Sequence, residues 1–175
     1  MKKLILHLEK SVLDFVLFGG LVWMFSKFAF RIMWLWGRIR FGALVRNRGS
    51  GWVCAWNADL RYPENMVLGD SVVIGTNVSI GAHSCVELGN NVRILRDVLI
   101  ETAGLNFPDM DSPYQHVSKP IRIENGAWIG ARAIILGGVQ IGENAVFAAG
   151  SVAFCTVPER DTVAGIPARP VKNRI

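Results

Sequence analysis

The sequence predicts a mainly β protein: a parallel β-helix wound from six-residue units, preceded by an amphipathic helical segment and carrying one protruding loop. Three observations predict it. Aliphatic residues recur every six positions from residue 67 onward, the recurrence breaks once at residues 101–120, and a basic, strongly apolar stretch comes first.

The recurrence reads VLGDSV, VIGTNV, SIGAHS, ELGNNV, RILRDV and LIETAG, then RIENGA, WIGARA, IILGGV, QIGENA and VFAAGS. The large apolar markers are Leu68, Ile74 and Ile80, then, after a two-residue slip, Leu88, Ile94 and Ile100. They return at Ile123, Ile129, Ile135, Ile141 and Phe147. Four places on, a small or β-branched residue follows, among them Val72, Val78, Ser84, Val92, Val98, Ala127 and Ala133. Such a period is the mark of a parallel β-helix, in which each hexapeptide makes a short strand and a corner and three hexapeptides close a triangular coil. Gly beside the marker suits corners that need an unusual φ. Residues 50–66, with Trp52, Trp56 and Tyr62, are expected to cap the first coil against solvent, as terminal repeats must. The expected organisation is a membrane-associating helical segment over residues 1–48 and the β-helix over residues 49–175.

The faces of a β-helix are flat, so a pocket needs something to project from them. Residues 101–120 are long for a connection between regular elements, and loops of that length tend to carry function. Pro108, Pro113 and Pro120 are expected to keep this loop extended and out of the strand ladder.

A length of 175 residues suits one folded body with an appendage. The net charge of +5 is unevenly placed: residues 1–48 hold nine Lys/Arg against two acids, the rest ten against twelve. Basicity that coincides with the most apolar stretch points to a membrane surface rather than to nucleic acid, whose readers spread cations over a polar face. Lys10 and Asp14 interrupt the apolar run and no small-residue cleavage site follows, which argues against a signal peptide. The longest uncharged run of this N-terminal segment, Phe15 to Ser26, spans about 18 Å as a helix, short of a bilayer core of about 30 Å. Lys3, His7, Lys10 and Asp14 form one polar stripe at helical spacing, and beyond Gly19-Gly20 Lys27, Arg31 and Arg38 form another on a second helix rich in Trp and Phe. Rings and cations of this kind suit the headgroup boundary, so residues 1–42 are expected to lie on a membrane surface; a helical hairpin packed on the domain or on a neighbouring subunit is the alternative. Cys54, Cys85 and Cys155 lack metal-ligand spacing and their odd number argues against a disulfide framework, consistent with a cytoplasmic setting.

The repeats, the loop, and the stretches GAWIGARAIILGGVQIGENAVFAAGSV and AGIPARPVKNRI resemble the left-handed β-helix hexapeptide acyltransferases, specifically the sugar O-acetyltransferases that act on galactosides, maltose, nodulation factors and colanic acid. The resemblance covers about residues 50–175. It implies a homotrimer with active sites between neighbouring subunits, acetyl-CoA as donor, and a sugar hydroxyl as acceptor. It further implies pantetheine contacts at Ala131 and Ala149, and nucleotide phosphates near Arg169 and Lys172.

In that family a loop histidine is the general base. Aligning TAGLN on the family's loop puts Leu105 in its place, and Phe154-Cys155-Thr156 replaces the usual Thr-Lys-Asp. The remaining candidates for the base are His116, which Asp109 or Asp111 can orient, and His83 in the corner SIGAHS, where galactoside enzymes carry an acid of the acceptor pocket. Asn77 is a candidate for the acceptor hydroxyls and Glu101 for a base or its orienting partner, against the plainer readings of a ladder asparagine and an exposed charge. With His7 in the helical segment only two histidines remain, which disfavours the three-histidine zinc site of carbonic anhydrases of this fold; no metal is expected. Loss of the loop histidine leaves one alternative to an enzyme: a trimeric, membrane-bound adaptor in glycan assembly.

Overall fold

The computed structural model describes residues 2, 5, 16–106 and 115–171. It divides into two compact units, Met1–Trp36 and Gly37–Ile175.

In the first unit lies most of a helix, Val16–Leu44, which runs through Gly19-Gly20 where the sequence suggested a break between two helices. A Cβ at either glycine would meet nothing, so nothing at those positions forces a turn. Trp23, Phe25, Phe28 and Phe30 are each more than 60 % exposed. Lys27 places its Nζ 5.6 Å from the centre of the Trp23 ring, and Lys27, Phe30, Arg31 and Trp34 line a concavity of about 410 Å³ along one face. Among the described residues no helix is long and apolar enough to cross a membrane.

The second unit is a solenoid of three parallel sheets. One joins Asn47–Arg48, Met66–Leu68, Val86–Leu88, Ile121–Ile123 and Gln140–Ile141. The next joins Val53–Cys54, Val73–Ile74, Arg93–Ile94, Trp128–Ile129, Val146–Phe147 and Thr162–Ala164, closed by an antiparallel Arg169–Pro170. The third joins Asp59–Arg61, Ser79–Gly81, Leu99–Glu101, Ile134–Leu136 and Val152–Ala153. The chain visits the three in turn, and every marker residue from Leu68 to Phe147 points inward and is buried. These aliphatic columns are the core.

Register shows how the six-residue period closes its coils. Asn47 pairs with Val67, Val53 with Val73 and Asp59 with Ser79, a coil of twenty residues. After the interruption Arg122 pairs with Gln140, Trp128 with Val146 and Ile134 with Val152, a coil of eighteen. The two extra residues all fall at one corner, between the third sheet and the first. Early coils use residues 62–65 and 82–85 there; the later coil uses only Gly137-Gly138 before Val139 rejoins the stack. Ser84, read above as the small residue of its hexapeptide, belongs to this widened corner and is half-buried; Val86 fills the buried place instead.

The other two corners are tight and carry left-handed residues, favoured at Asn and Asp because a short polar side chain can bond locally. Asn77, Asn91, Asp97 and Asn144 have φ between 54° and 59°. Side chains climb from coil to coil: Asp70 Oδ1 accepts the Ser50 N–H (2.6 Å), Asn90 Oδ1 the Asp70 N–H (2.7 Å) and Asn125 Oδ1 the Asn90 N–H (2.7 Å). The N–H and hydroxyl of Ser50 hold the Asp70 carboxyl below its ordinary range.

Residues 50–66 do not cap the solenoid. They form its first full coil, hidden in the sequence because Arg48, Trp52 and Cys54 stand at places that later coils give to aliphatic residues. The cap is the C-terminal end of the helix. Phe41 and Val45 are buried on the first coil, the Phe41 ring lies 4.6 Å from that of Trp52, and Arg40 Nη1 donates to the Ala58 carbonyl (3.0 Å). Gly37 permits the approach, since a Cβ there would come within 2.9 Å of the Trp56 backbone. Burial pushes the Cys54 thiol beneath this cap up to about 12. Replacing Phe41 by Ala should cost about 3–5 kcal/mol, the usual range for a buried aromatic, read as a fall in the urea midpoint of the intact chain.

Candidate functional site

The widened corner and the interruption occupy the same edge of the solenoid and together make the site. The interruption is not an irregular loop. It leaves as an antiparallel hairpin, Ala103–Asn106 against Gln115–Ser118, with residues 107–114, and with them Asp109 and Asp111, outside the described set. Lys119 N–H donates to the Thr102 carbonyl (3.0 Å) and closes its root.

An open concavity of about 360 Å³ lies between hairpin and corner, lined by Arg61, His83, Glu101, Ala103, His116, Val117 and Ser118. Three of the residues singled out in the sequence, His83, His116 and Glu101, thus line one space. His116 reaches it from the hairpin strand, where it pairs directly opposite Leu105. Residues paired this way project on the same face with Cβ atoms about 4.5–5.5 Å apart. An imidazole thus stands one strand across from Leu105.

Three hydroxyls fix the hairpin to the His83 corner. Buried Thr102 donates its Oγ1 hydrogen to the Gly81 carbonyl (2.8 Å) and accepts the Ser84 N–H (3.0 Å), while the Ser84 and Ser118 hydroxyls lie 2.6 Å apart. His83 thus sits in a segment tied on both sides to the element that carries His116.

Arg61 and Glu101 complete the lining. The twenty-residue coil stacks Arg61, Gly81 and Glu101 in one column. With no side chain between them, the Arg61 guanidinium meets the Glu101 carboxylate at 2.7 Å, and Glu101 also accepts the Ala103 N–H (3.2 Å). Asp59 stands 3.6 Å from Arg61 on its other side. A Cβ on Gly81 would fall on the Glu101 carboxylate oxygens, so the ion pair in this position depends on that glycine. Sequence reading missed Arg61, whose meaning appears only when positions are counted in twenties rather than sixes.

The other candidates lie elsewhere. Asn77 is not among the lining residues: it stands at the corner between the second and third sheets, accepting from Asn57 (2.5 Å) and donating to Asp97 (3.0 Å). Ala131 and Ala149 are stacked neighbours on successive coils of that corner, the Gly150 N–H donating to the Ala131 carbonyl (2.9 Å). A Cβ on Gly130 would lie 2.5 Å from the Ala149 nitrogen, so the backbones there are packed too closely for anything larger. Arg169 is exposed on the final antiparallel strand, and Lys172 is outside the described residues. Among the described residues no group of three His, Cys, Asp or Glu is placed to hold a metal ion.

Gly81→Ala should leave unfolding free energy within about 1 kcal/mol of wild type, because only the end of a flexible side chain must yield. It should drive Glu101 off Arg61, visible as a rotated carboxylate in the variant's crystal structure.

Comparison with known proteins bears on this geometry. Residues 120–153 match the family described as bacterial transferase hexapeptide (six repeats). The galactoside O-acetyltransferase of Escherichia coli K12 is 31 % identical over 113 residues, covering 64 % of this chain and 56 % of that protein. The serine acetyltransferase of the same organism is 32 % identical over 146 residues, 82 % of this chain and 48 % of that one. The chain spans about half the length of the curated relatives it matches. A hexapeptide-repeat-containing acetyltransferase of Vibrio cholerae, solved in complex with acetyl coenzyme A, superposes with a TM-score of 0.70 at 27 % identity, over 75 % of this chain and 73 % of that one.

Proposed function

From repeats that match the bacterial transferase hexapeptide family over residues 120–153, we infer that this protein is an acetyl-CoA-dependent O-acetyltransferase acting on a sugar hydroxyl. The observation that carries the reading is the concavity in which His83, His116 and Glu101 converge beside the hairpin. A hydroxyl is a poor nucleophile near neutral pH, and an imidazole within hydrogen-bond reach removes its proton as it attacks. The hydroxyl oxygen bonds to the thioester carbonyl carbon, the carbon–sulfur bond breaks, and the imidazolium returns the proton to the departing sulfur. The products are an O-acetyl sugar and free CoA. We assign the base to His116, which replaces from across the hairpin the imidazole that Leu105 lacks.

The donor reading follows from the names and bound ligand of the relatives, and the stacked alanines Ala131 and Ala149 offer a smooth wall for a pantetheine arm. Arg169 and Lys172 then serve the nucleotide phosphates. An open concavity suits completion by a neighbouring copy, in keeping with a homotrimer.

The exposed aromatic and basic helix supports a location on a membrane surface, which we put on the cytoplasmic side of the inner or plasma membrane, with a lipid-linked or surface-polysaccharide glycan as acceptor. Residues 15–58 contain no Asp or Glu, so this stretch of the chain carries only positive charge.

Two measurements test this. Labelled acetyl from acetyl-CoA should enter the glycan or glycolipid fraction of host membranes, and His116→Ala should reduce transfer by about 10²–10⁴-fold, the range for loss of a general base. Failure of the wild-type protein to transfer acetyl to membranes that hold the glycan would favour the adaptor instead. The full chain should float with vesicles containing phosphatidylglycerol and release as salt is raised; equal recovery with and without vesicles would contradict the membrane reading.

A further inference from the structure

His83 is held by a part of the chain that no repeat rule requires. In the twenty-residue coils it stands one coil above Pro63, in the 3₁₀ turn Pro63–Asn65, and that turn grips it twice. Asn65 Nδ2 donates to the carbonyls of Ala82 (2.9 Å) and His83 (3.3 Å), fixing the backbone on which the imidazole is mounted. The Tyr62 ring packs on the imidazole itself, with centroids 4.2 Å apart and planes inclined at 47°.

Tyr62 makes that contact from the left-handed region, at φ 58° and ψ 51°. A bulky side chain is rare there, and the other corners of the solenoid place mostly Asn, Asp or Gly in such positions. A residue free to be chosen for its backbone alone would not be tyrosine. The ring is also half exposed, so burial of apolar area does not account for it. What it does supply is one fixed face for a solvent-facing histidine, which otherwise samples several rotamers.

We propose that Tyr62 and Asn65 are positioning residues that hold the His83 imidazole in the acceptor side of the site, opposite the hairpin that brings His116. This rests on the acetyltransferase reading above. His83 then receives the acceptor, as a fixed hydrogen-bonding partner for a sugar hydroxyl, while His116 takes the proton. Charge within the concavity is consistent with an uncharged hydroxylated ligand, since Arg61 is already matched by Glu101 and flanked by Asp59.

The test uses the full chain and four substitutions: Tyr62→Phe, Tyr62→Asn, Asn65→Ala and His83→Ala. Asparagine tolerates the left-handed conformation, so Tyr62→Asn removes the ring without forcing the corner to unfold. Transfer is measured from acetyl-CoA to the glycan and glycolipid fraction of host membranes, and the His83 Hε1 resonance is followed by NMR. Tyr62→Phe should keep the wild-type rate within about twofold, Tyr62→Asn and Asn65→Ala should each lower turnover about tenfold, and KM for acetyl-CoA should not change. In a His83→Ala background Tyr62→Asn should add nothing, which a purely structural role would not produce. The Hε1 resonance should show a ring-current shift in wild type and Tyr62→Phe and lose it in Tyr62→Asn. Additive losses, unchanged turnover in Tyr62→Asn, or an Hε1 resonance indifferent to the ring would overturn the proposal alone. No transfer by the wild-type protein to that fraction would overturn it together with the acetyltransferase reading, and the resonance would then show whether the stack exists without that purpose.

Discussion

Each turn of a parallel solenoid must bring the chain back to a point one strand spacing, about 4.8 Å, above where it began. Everything else in this fold depends on that closure. It fixes which side chains stack, because residues a whole coil apart share a column, and it forces each column to be uniform in size. The aliphatic columns from Leu68 to Phe147 satisfy it inside, and the chain of Asp70, Asn90 and Asn125 satisfies it at a tight corner, where each side-chain oxygen accepts the N–H of the preceding coil. Two of the three corners therefore have no freedom to vary.

The third corner is where variation is admitted, and the candidate site collects there. Four residues at 62–65 and again at 82–85 replace the minimal pair Gly137-Gly138, and a hairpin replaces them in the coil between. The same closure that stacks the core stacks Arg61 over Gly81 over Glu101, so an ion pair forms across a glycine at the mouth of the hairpin. Thr102 and the Ser84–Ser118 pair then tie hairpin and corner into one unit. A flat-sided fold acquires a concavity by lengthening one corner in three consecutive coils.

This division explains what could be read from the sequence. Inward positions admit only aliphatic side chains, so the period of six was plain wherever the core is regular, and the slip before Leu88 marked the widened corner that carries His83. The first coil escaped notice because the helix end, rather than another coil, lies against it: Arg48, whose guanidinium bonds the Val45 carbonyl and sits 5.6 Å from the Trp52 ring, and Cys54 replace the usual markers. The interruption announced itself by length, and His116 and Glu101 by chemistry; that it is a hairpin did not show, since AGLN and QHVS carry little strand pattern. Arg61 and Tyr62 carry no motif. Their roles emerge only from a column count of twenty, a number set by corner length and not by the repeat.

The central claim is that the reacting end of the donor meets the acceptor at the lengthened corner. The most direct measurement is a crystal structure of the full chain with CoA bound. The account predicts the sulfur opening onto the concavity formed by Arg61, His83, Glu101 and His116, with an imidazole nitrogen within hydrogen-bond reach of the space beside it. A sulfur directed instead to the concavity lined by Glu124, Glu143 and Glu159, near the far end of the solenoid, would contradict it.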